Sequence, residues 1–266
     1  MSLMFEEIDN QDTSIGEISL RRRRLPAVGD RDIYEVKLGD EFLMSSLFVE
    51  AEVALADLGL GAVSGDSLTV VVGGLGLGYT AAAALRDPRI EELLVVEALE
   101  PVIRWHREEK VPLGGDLNAD PRCRYVHGDF FELAGSAFDS ARPGRSFDAI
   151  LLDIDHSPGA LLHDGNAGFY TADGLSRMAR QLRPGGVFAL WSNEPPDDRF
   201  MTTLGEVFAQ PVAHAVRFPN PLQHNRGRQY GVRGTRPWDG CAIYCATRGV
   251  RPGNKSLTRT AVGQKL

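Results

Sequence analysis

Four short stretches of this chain carry side chains that could bind or react. The apolar run Phe147–Leu152 delivers Asp153-Ile154-Asp155-His156. A carboxylate fixed just past a buried strand is placed for proton transfer or for holding a cation, although the same residue could simply cap a loop. Glu97 ends a second apolar run, nineteen residues after Gly78. A carboxylate there can accept hydrogen bonds from both hydroxyls of a ribose, the alternative being a solvated acid at a helix start. Gly128-Asp129 ends a third run, where the acid could take an exocyclic amine of adenine or cap the helix that follows. Gly73-Gly74-Leu75-Gly76-Leu77-Gly78 is a loop whose backbone a ligand can approach closely. A dinucleotide fingerprint starting at Gly74 would need glycine where Tyr79 stands, so the spacing suits a nucleoside without a pyrophosphate, or else a plain tight turn. Asp153-x-Asp155 could hold Mg²⁺ for phosphoryl transfer, but it follows the fourth strand, behind the glycine loop, and not the first. No His/Cys pair has zinc spacing, so no metal is expected.

Elements of regular structure must position these groups. Residues 68–72, 93–97, 124–127, 149–153 and 187–191 read as strands, four of them continuous apolar runs, as a sheet covered on both faces requires. Helical spacing at 79–86, 101–109 and 169–182 separates most of them, and Leu182-Arg183-Pro184-Gly185-Gly186 is a helix stop and turn. The alternation predicts a doubly wound, Rossmann-like α/β sheet, whose ligands bind past the carboxyl ends of the strands. Before it, Tyr34, Val36 and Leu38 alternate with charged residues, Gly39-Asp40 interrupts, and Phe42 and Met44 resume the alternation. With residues 15–20 this predicts a small antiparallel segment whose edge could pair with a second copy. Phe48, Ala51, Leu55 and Leu58 then recur at helical spacing and stop at Gly59. The expected organisation is a β-hairpin segment over 1–47, the α/β domain over 48–247, and a mobile basic tail over 248–266.

The 266 residues carry a net charge of −7 and are 43% hydrophobic, enough for a sizeable core. From Arg217 onward there are ten Lys/Arg and one acid, so the body is acidic and argues against nucleic acid. No apolar run spans a bilayer and the N-terminus is acidic, so no membrane contact and a cytoplasmic location are expected. Three cysteines make no disulfide framework: Cys241 and Cys245 lie in one extended run and cannot pair. Residues 224–240, with Arg226, Arg228, Arg233 and Arg236, read as a lid, an anion contact or a nucleic-acid strip. Arg21 to Arg24 read as a solvated rim, Trp105 as core or adenine-side packing, and His106 as a surface residue.

Glycine loop, Glu97, Asp129, Asp153 and Leu-Arg-Pro-Gly-Gly, in that order, resemble the class I S-adenosylmethionine-dependent methyltransferase superfamily over about residues 65–210. Within it the chain looks like the spermidine synthase (polyamine aminopropyltransferase) branch. Phe48-Val49-Glu50, Val95-Val96-Glu97, Asp120-Pro121-Arg122, the run from Phe147 to Asp153, and Phe169-Tyr170 carry that likeness. The resemblance implies transfer of an aminopropyl group from decarboxylated S-adenosylmethionine to a small-molecule amine. Methyl transfer from S-adenosylmethionine, or nucleoside binding without chemistry, are the alternatives. It implies a donor site of Gly73, Gly74, Gly76, Gly78, Glu97, Gly128, Asp129 and Asp153, with Asp153 and Asp155 catalytic. Glu50, His156 and Tyr170 would bind the acceptor. The chain departs from the pattern at Gly76, where the family has an acid, at His156 in place of a second catalytic acid, at Trp191 in place of a glutamine, and at Phe48-Val49 in place of Tyr-His.

Overall fold

A computed structural model describes residues 5–25, 29, 31–217 and 240–249. The expected loop at 224–240 and tail at 248–266 lie almost wholly outside them.

Among the described residues two sheets make up the fold. The first is an antiparallel meander of β1 (Phe5–Thr13), β2 (Gly16–Arg24), β3 (Asp32–Leu38) and β4 (Glu41–Ser45), so the hairpin expected at Gly39-Asp40 is its second half. Arg21 to Arg24 are not a free rim. Cross-strand register sets three of them opposite an acid, Arg21 pairing with Glu7 at 3.2 Å, Arg22 with Glu6 at 2.5 Å and Arg24 with Asp32 at 2.5 Å, while Arg23 reaches diagonally to Glu35. Such half-exposed pairs fix register more than they stabilise, at roughly 0–1 kcal/mol each.

The second sheet has seven strands: β5 (Leu68–Gly73), β6 (Ile90–Glu97), β7 (Cys123–His127), β8 (Phe147–Leu152), β9 (Leu182–Ser192), β10 (Ala209–Arg217) and β11 (Gly240–Thr247). Their spatial order is β10-β11-β9-β8-β5-β6-β7, with β5 to β9 parallel and β11 antiparallel to both its neighbours. Strand order reverses between β5 and β8, and the crevice at such a reversal is where doubly wound sheets bind ligands.

The strands are apolar throughout because both faces are covered. Val70, Val72, Val95, Leu151 and Ala189 pack in one buried cluster, and their neighbours Val71, Val96, Leu152 and Leu190 pack in the other. Helix α1 (Glu50–Gly61) lies over the first face, against β8, β9 and β11, and is followed by α2 (Tyr79–Leu85), α3 (Glu100–Arg107) and α4 (Gly114–Ala119). Helices α5 (Phe130–Gly135), α6 (Ala172–Ala179) and α7 (Asp198–Val207) contribute to the second. The helix expected at 169–182 is split. Asp164–Tyr170 winds as a 3₁₀ helix, and the Thr171 hydroxyl then caps α6 by accepting the Gly174 N–H at 3.2 Å.

Cys241 and Cys245 are free thiols buried on β11. No helix among the described residues is long and apolar enough to cross a membrane.

Candidate active site

The glycine loop leaves the end of β5 with Gly74 at φ +90° and Gly76 at φ +48°, a region that only glycine enters without strain. A Cβ on Gly74 would strike the Asp153 carbonyl, so bare backbone is what lets the two loops meet. Hydrogen bonds fix the turn: Gly74 N–H to Val96 O at 2.9 Å and Gly78 N–H to Leu75 O at 2.7 Å. Glu97, only 9% exposed at the end of β6, holds the rest. Its Oε2 accepts the Leu75 N–H at 3.0 Å and its Oε1 the Leu99 N–H at 2.8 Å. Burial pushes its pKa up, and the amides of Leu99, Leu75, Gly76 and Ala98 oppose that shift.

Asp153 follows β8 directly. Its N–H donates to Gly73 O at 2.8 Å, and its Oδ2 accepts the Thr80 hydroxyl at 2.7 Å. A second acid, Glu52 on α1, meets it across the crevice. Burial, and then the charge of Asp153, raise Glu52 to about 8, while burial raises Asp153 to about 6 with Thr80 opposing. Near neutral pH the two carboxyls therefore hold one proton and one negative charge between them. Tyr79, hydrogen-bonded to Ser46, borders Glu52. Beside the pair lies Cys241, whose thiol burial lifts to about 12. The indole N–H of Trp191 faces that sulfur and has no hydrogen-bond partner among the described residues.

Other expected site residues stand elsewhere. Asp155 is 1% exposed and fully engaged: it accepts the Leu162 N–H at 2.7 Å, the Asn166 amide at 3.0 and 3.2 Å, and the Tyr170 hydroxyl at 2.8 Å. It ties down the loop after β8 rather than presenting a free base. Tyr170 is buried among Phe131, Phe169 and Phe200, with its hydroxyl turned to Asp155. Glu50 is exposed at the start of α1 and accepts the Val49 N–H at 3.0 Å. Helical spacing turns Glu52, one turn before Leu55 and Ala56, inward in its place. Asp129 takes the capping alternative: Oδ1 accepts the N–H groups of Phe131 at 2.7 Å and Glu132 at 3.3 Å. Asp129 also borders a cavity of about 330 Å³ shared with Phe131, His163, Asn166, Phe169 and Arg177. Gly128 extends the turn, its N–H on Glu97 O at 2.9 Å. His156 donates to Glu41 of β4 at 2.7 Å, so the first sheet touches the loop carrying Asp153.

Trp105 is core, as one of its two readings had it, with its indole N–H on Asp9 of β1 at 2.6 Å. His106 is not on the surface but 0% exposed, its Nε2 3.0 Å from Gly76 O, and burial lowers it to about 4. The neutral ring carries its proton on Nε2, because a carbonyl only accepts. Its place was legible, since 102, 103 and 106 lie on one helical face. Met44 of β4 was also missed: its sulfur sits against Gly76 and accepts the Leu77 N–H at 3.0 Å.

No family model matches the chain. Putrescine N-methyltransferase 4 of Nicotiana tabacum is 32% identical over 166 residues, which is 60% of this chain and 40% of that protein. The polyamine aminopropyltransferase of Mycobacterium tuberculosis is 30% identical over 135 residues, 50% of this chain and 24% of that one. The chain thus spans less than half the length of these curated relatives. Spermidine synthase from Thermotoga maritima superposes over 92% of this chain and 73% of its own, with a TM-score of 0.63 at 17% identity. A spermidine synthase in complex with the transition state analogue AdoDATO gives 0.64 at 19%, over 92% and 75%. The chain has the spermidine synthase fold, a Rossmann-like methyltransferase sheet preceded by an antiparallel one, and resembles this group in sequence as well.

Proposed function

We propose that this chain is a spermidine synthase-like transferase that moves an alkyl group from an adenosyl sulfonium to an amine nitrogen. The observation that carries the reading is the half-buried Glu52 and Asp153 pair, set beside the glycine loop where the strand order reverses. Nothing in the fold alone needs two acids there, and a pair with one net negative charge attracts an ammonium.

The residues present fit a nucleoside donor. Glu97 is held rigidly at the end of β6, the position suited to a ribose diol, beside a glycine loop that closes directly against the Asp153 backbone. When bound, the sulfonium supplies an electrophilic carbon. Glu52 and Asp153 draw the amine in. Asp153, the more acidic of the two, takes the proton that the nitrogen sheds as it forms its new bond to carbon. Thr80 holds the carboxylate in place by one oxygen and leaves the other to the amine.

Aminopropyl transfer from decarboxylated S-adenosylmethionine is supported by the likeness to the polyamine aminopropyltransferase. A second reading, methyl transfer from S-adenosylmethionine, is supported by Gly76, which brings no acid against the donor's tail, and by the putrescine N-methyltransferases. Putrescine is the first acceptor to test. Calorimetry with methylthioadenosine, followed by mass spectrometry of putrescine incubated with either donor, decides the matter. A folded protein that binds no adenosyl compound would end this reading.

A further inference from the structure

Within the glycine loop one peptide group is gripped on both sides. The Gly76 carbonyl faces the interior and accepts from His106 Nε2 at 3.0 Å. The N–H of the same peptide, on Leu77, points the opposite way, as a trans peptide must, and meets the Met44 sulfur at 3.0 Å. Every other amide of the loop from Gly74 to Gly78 reaches an oxygen: Gly74 that of Val96, Leu75 and Gly76 the carboxylate of Glu97, and Gly78 that of Leu75. Leu77 alone has a thioether, a weak acceptor on a flexible side chain.

This peptide could stand either way up. A flip that turned the carbonyl outward and the N–H inward would meet no Cβ at Gly76, at φ +48°, but would carry Leu77, which is not at positive φ, toward the left-handed region. The two orientations offer opposite chemistry, a carbonyl favouring an ammonium and an N–H favouring a carboxylate. The backbone of Leu77 favours the observed orientation, and His106 holds it further. Its ring is 0% exposed, packs against Tyr125 at 5.9 Å between ring centroids, and has its main chain anchored by Asn118 at 2.8 Å. With Nε2 as the protonated nitrogen, it can donate to an inward carbonyl but could offer an inward N–H nothing from that atom.

Resting on the proposal that the chain uses an adenosyl sulfonium, the geometry points to His106 as a positioning residue for donor choice, which holds the Leu77 N–H outward to receive the carboxylate of intact S-adenosylmethionine in place of the Met44 sulfur. A charge-assisted bond then replaces a weak one, and the decarboxylated donor, which differs only in lacking that group, gains nothing from the exchange. Among the two readings above this favours methyl transfer.

The test is calorimetric titration of the whole protein with methylthioadenosine, S-adenosylmethionine and decarboxylated S-adenosylmethionine. We expect S-adenosylmethionine to bind at least about tenfold more tightly than its decarboxylated form, in keeping with one charge-assisted hydrogen bond. His106→Leu should lower that ratio at least about threefold while methylthioadenosine, which has no tail, keeps its affinity unchanged; His106→Gln, which retains a side-chain N–H, should restore much of the ratio. Met44→Ala, which removes the competing sulfur without touching the buried ring, should raise affinity for S-adenosylmethionine alone. Equal binding of the two tailed donors, tighter binding of the decarboxylated one, or a ratio indifferent to His106→Leu would overturn the assignment while leaving the transferase proposal intact. Failure of methylthioadenosine to bind the parent protein would remove both.

Discussion

Glu52 and Asp153 face each other from helix α1 and the end of β8 with less than two charges between them: burial and mutual repulsion lift the first to about 8 and burial lifts the second to about 6. The site thus stores an electrostatic imbalance that a cation relieves.

Asp153→Asn keeps the shape and removes the base. Turnover with any amine acceptor should fall by at least about a hundredfold, while methylthioadenosine affinity and melting temperature stay close to the parent's. In the parent, kcat/KM should rise with pH through a limb near 6 as Asp153 ionises. Undiminished turnover in the variant would reduce Asp153 to a loop cap.

Glu52→Gln should stabilise the ligand-free protein and weaken the acceptor. A carboxyl raised from 4.5 to about 8 binds more protons folded than unfolded across that window, so its contribution is present below 4.5 and is lost as pH climbs through 8. The variant's advantage should grow over that range, to about 4 kcal/mol at pH 8, and acceptor KM should rise at least tenfold. Thermal melts at pH 5 and pH 8 read the first effect; an identical shift at both would disprove it.

Asp155→Ala should act on stability. It leaves the Leu162 N–H, the Asn166 amide and the Tyr170 hydroxyl without their acceptor, a loss of about 3 kcal/mol. Chemical denaturation measures this, and a normal midpoint with abolished turnover would return Asp155 to the catalytic role first expected of it.

His106 should give the protein an acid limb. It is neutral in the fold down to about 4 and titrates near 6.5 when unfolded, so the unfolded chain binds more protons between those values and stability falls as pH drops from 6.5 to 4. The span corresponds to about 3 kcal/mol. Denaturation midpoints across this range should be flatter in His106→Gln than in the parent.

The parallel core of the sheet and the glycine loop are legible in the sequence because strands buried on both faces are uninterrupted apolar runs. The individual roles are less so. Glu50 and Glu52 differ by two positions, and only the seating of α1 on β8, β9 and β11 says which turns inward. The clue was an acid one turn before Leu55 and Ala56, inside an apolar face. Asp155 draws its partners from seven to fifteen residues onward, along a loop whose path no local pattern encodes. His106 lies on the face of Val102 and Ile103, and periodicity alone would have buried it.

The neighbours of β11 also bear on how the protein is made. This strand, which carries Cys241 beside the acid pair, enters between β9 and β10, both of which precede it in the chain. Until residues 240–247 have left the ribosome, β9 presents an unpaired edge and β10 has no strand at its side. The nascent chain therefore holds an open, apolar sheet margin until that strand emerges, and substitutions that slow the insertion of β11 should reduce soluble yield before they alter the finished protein.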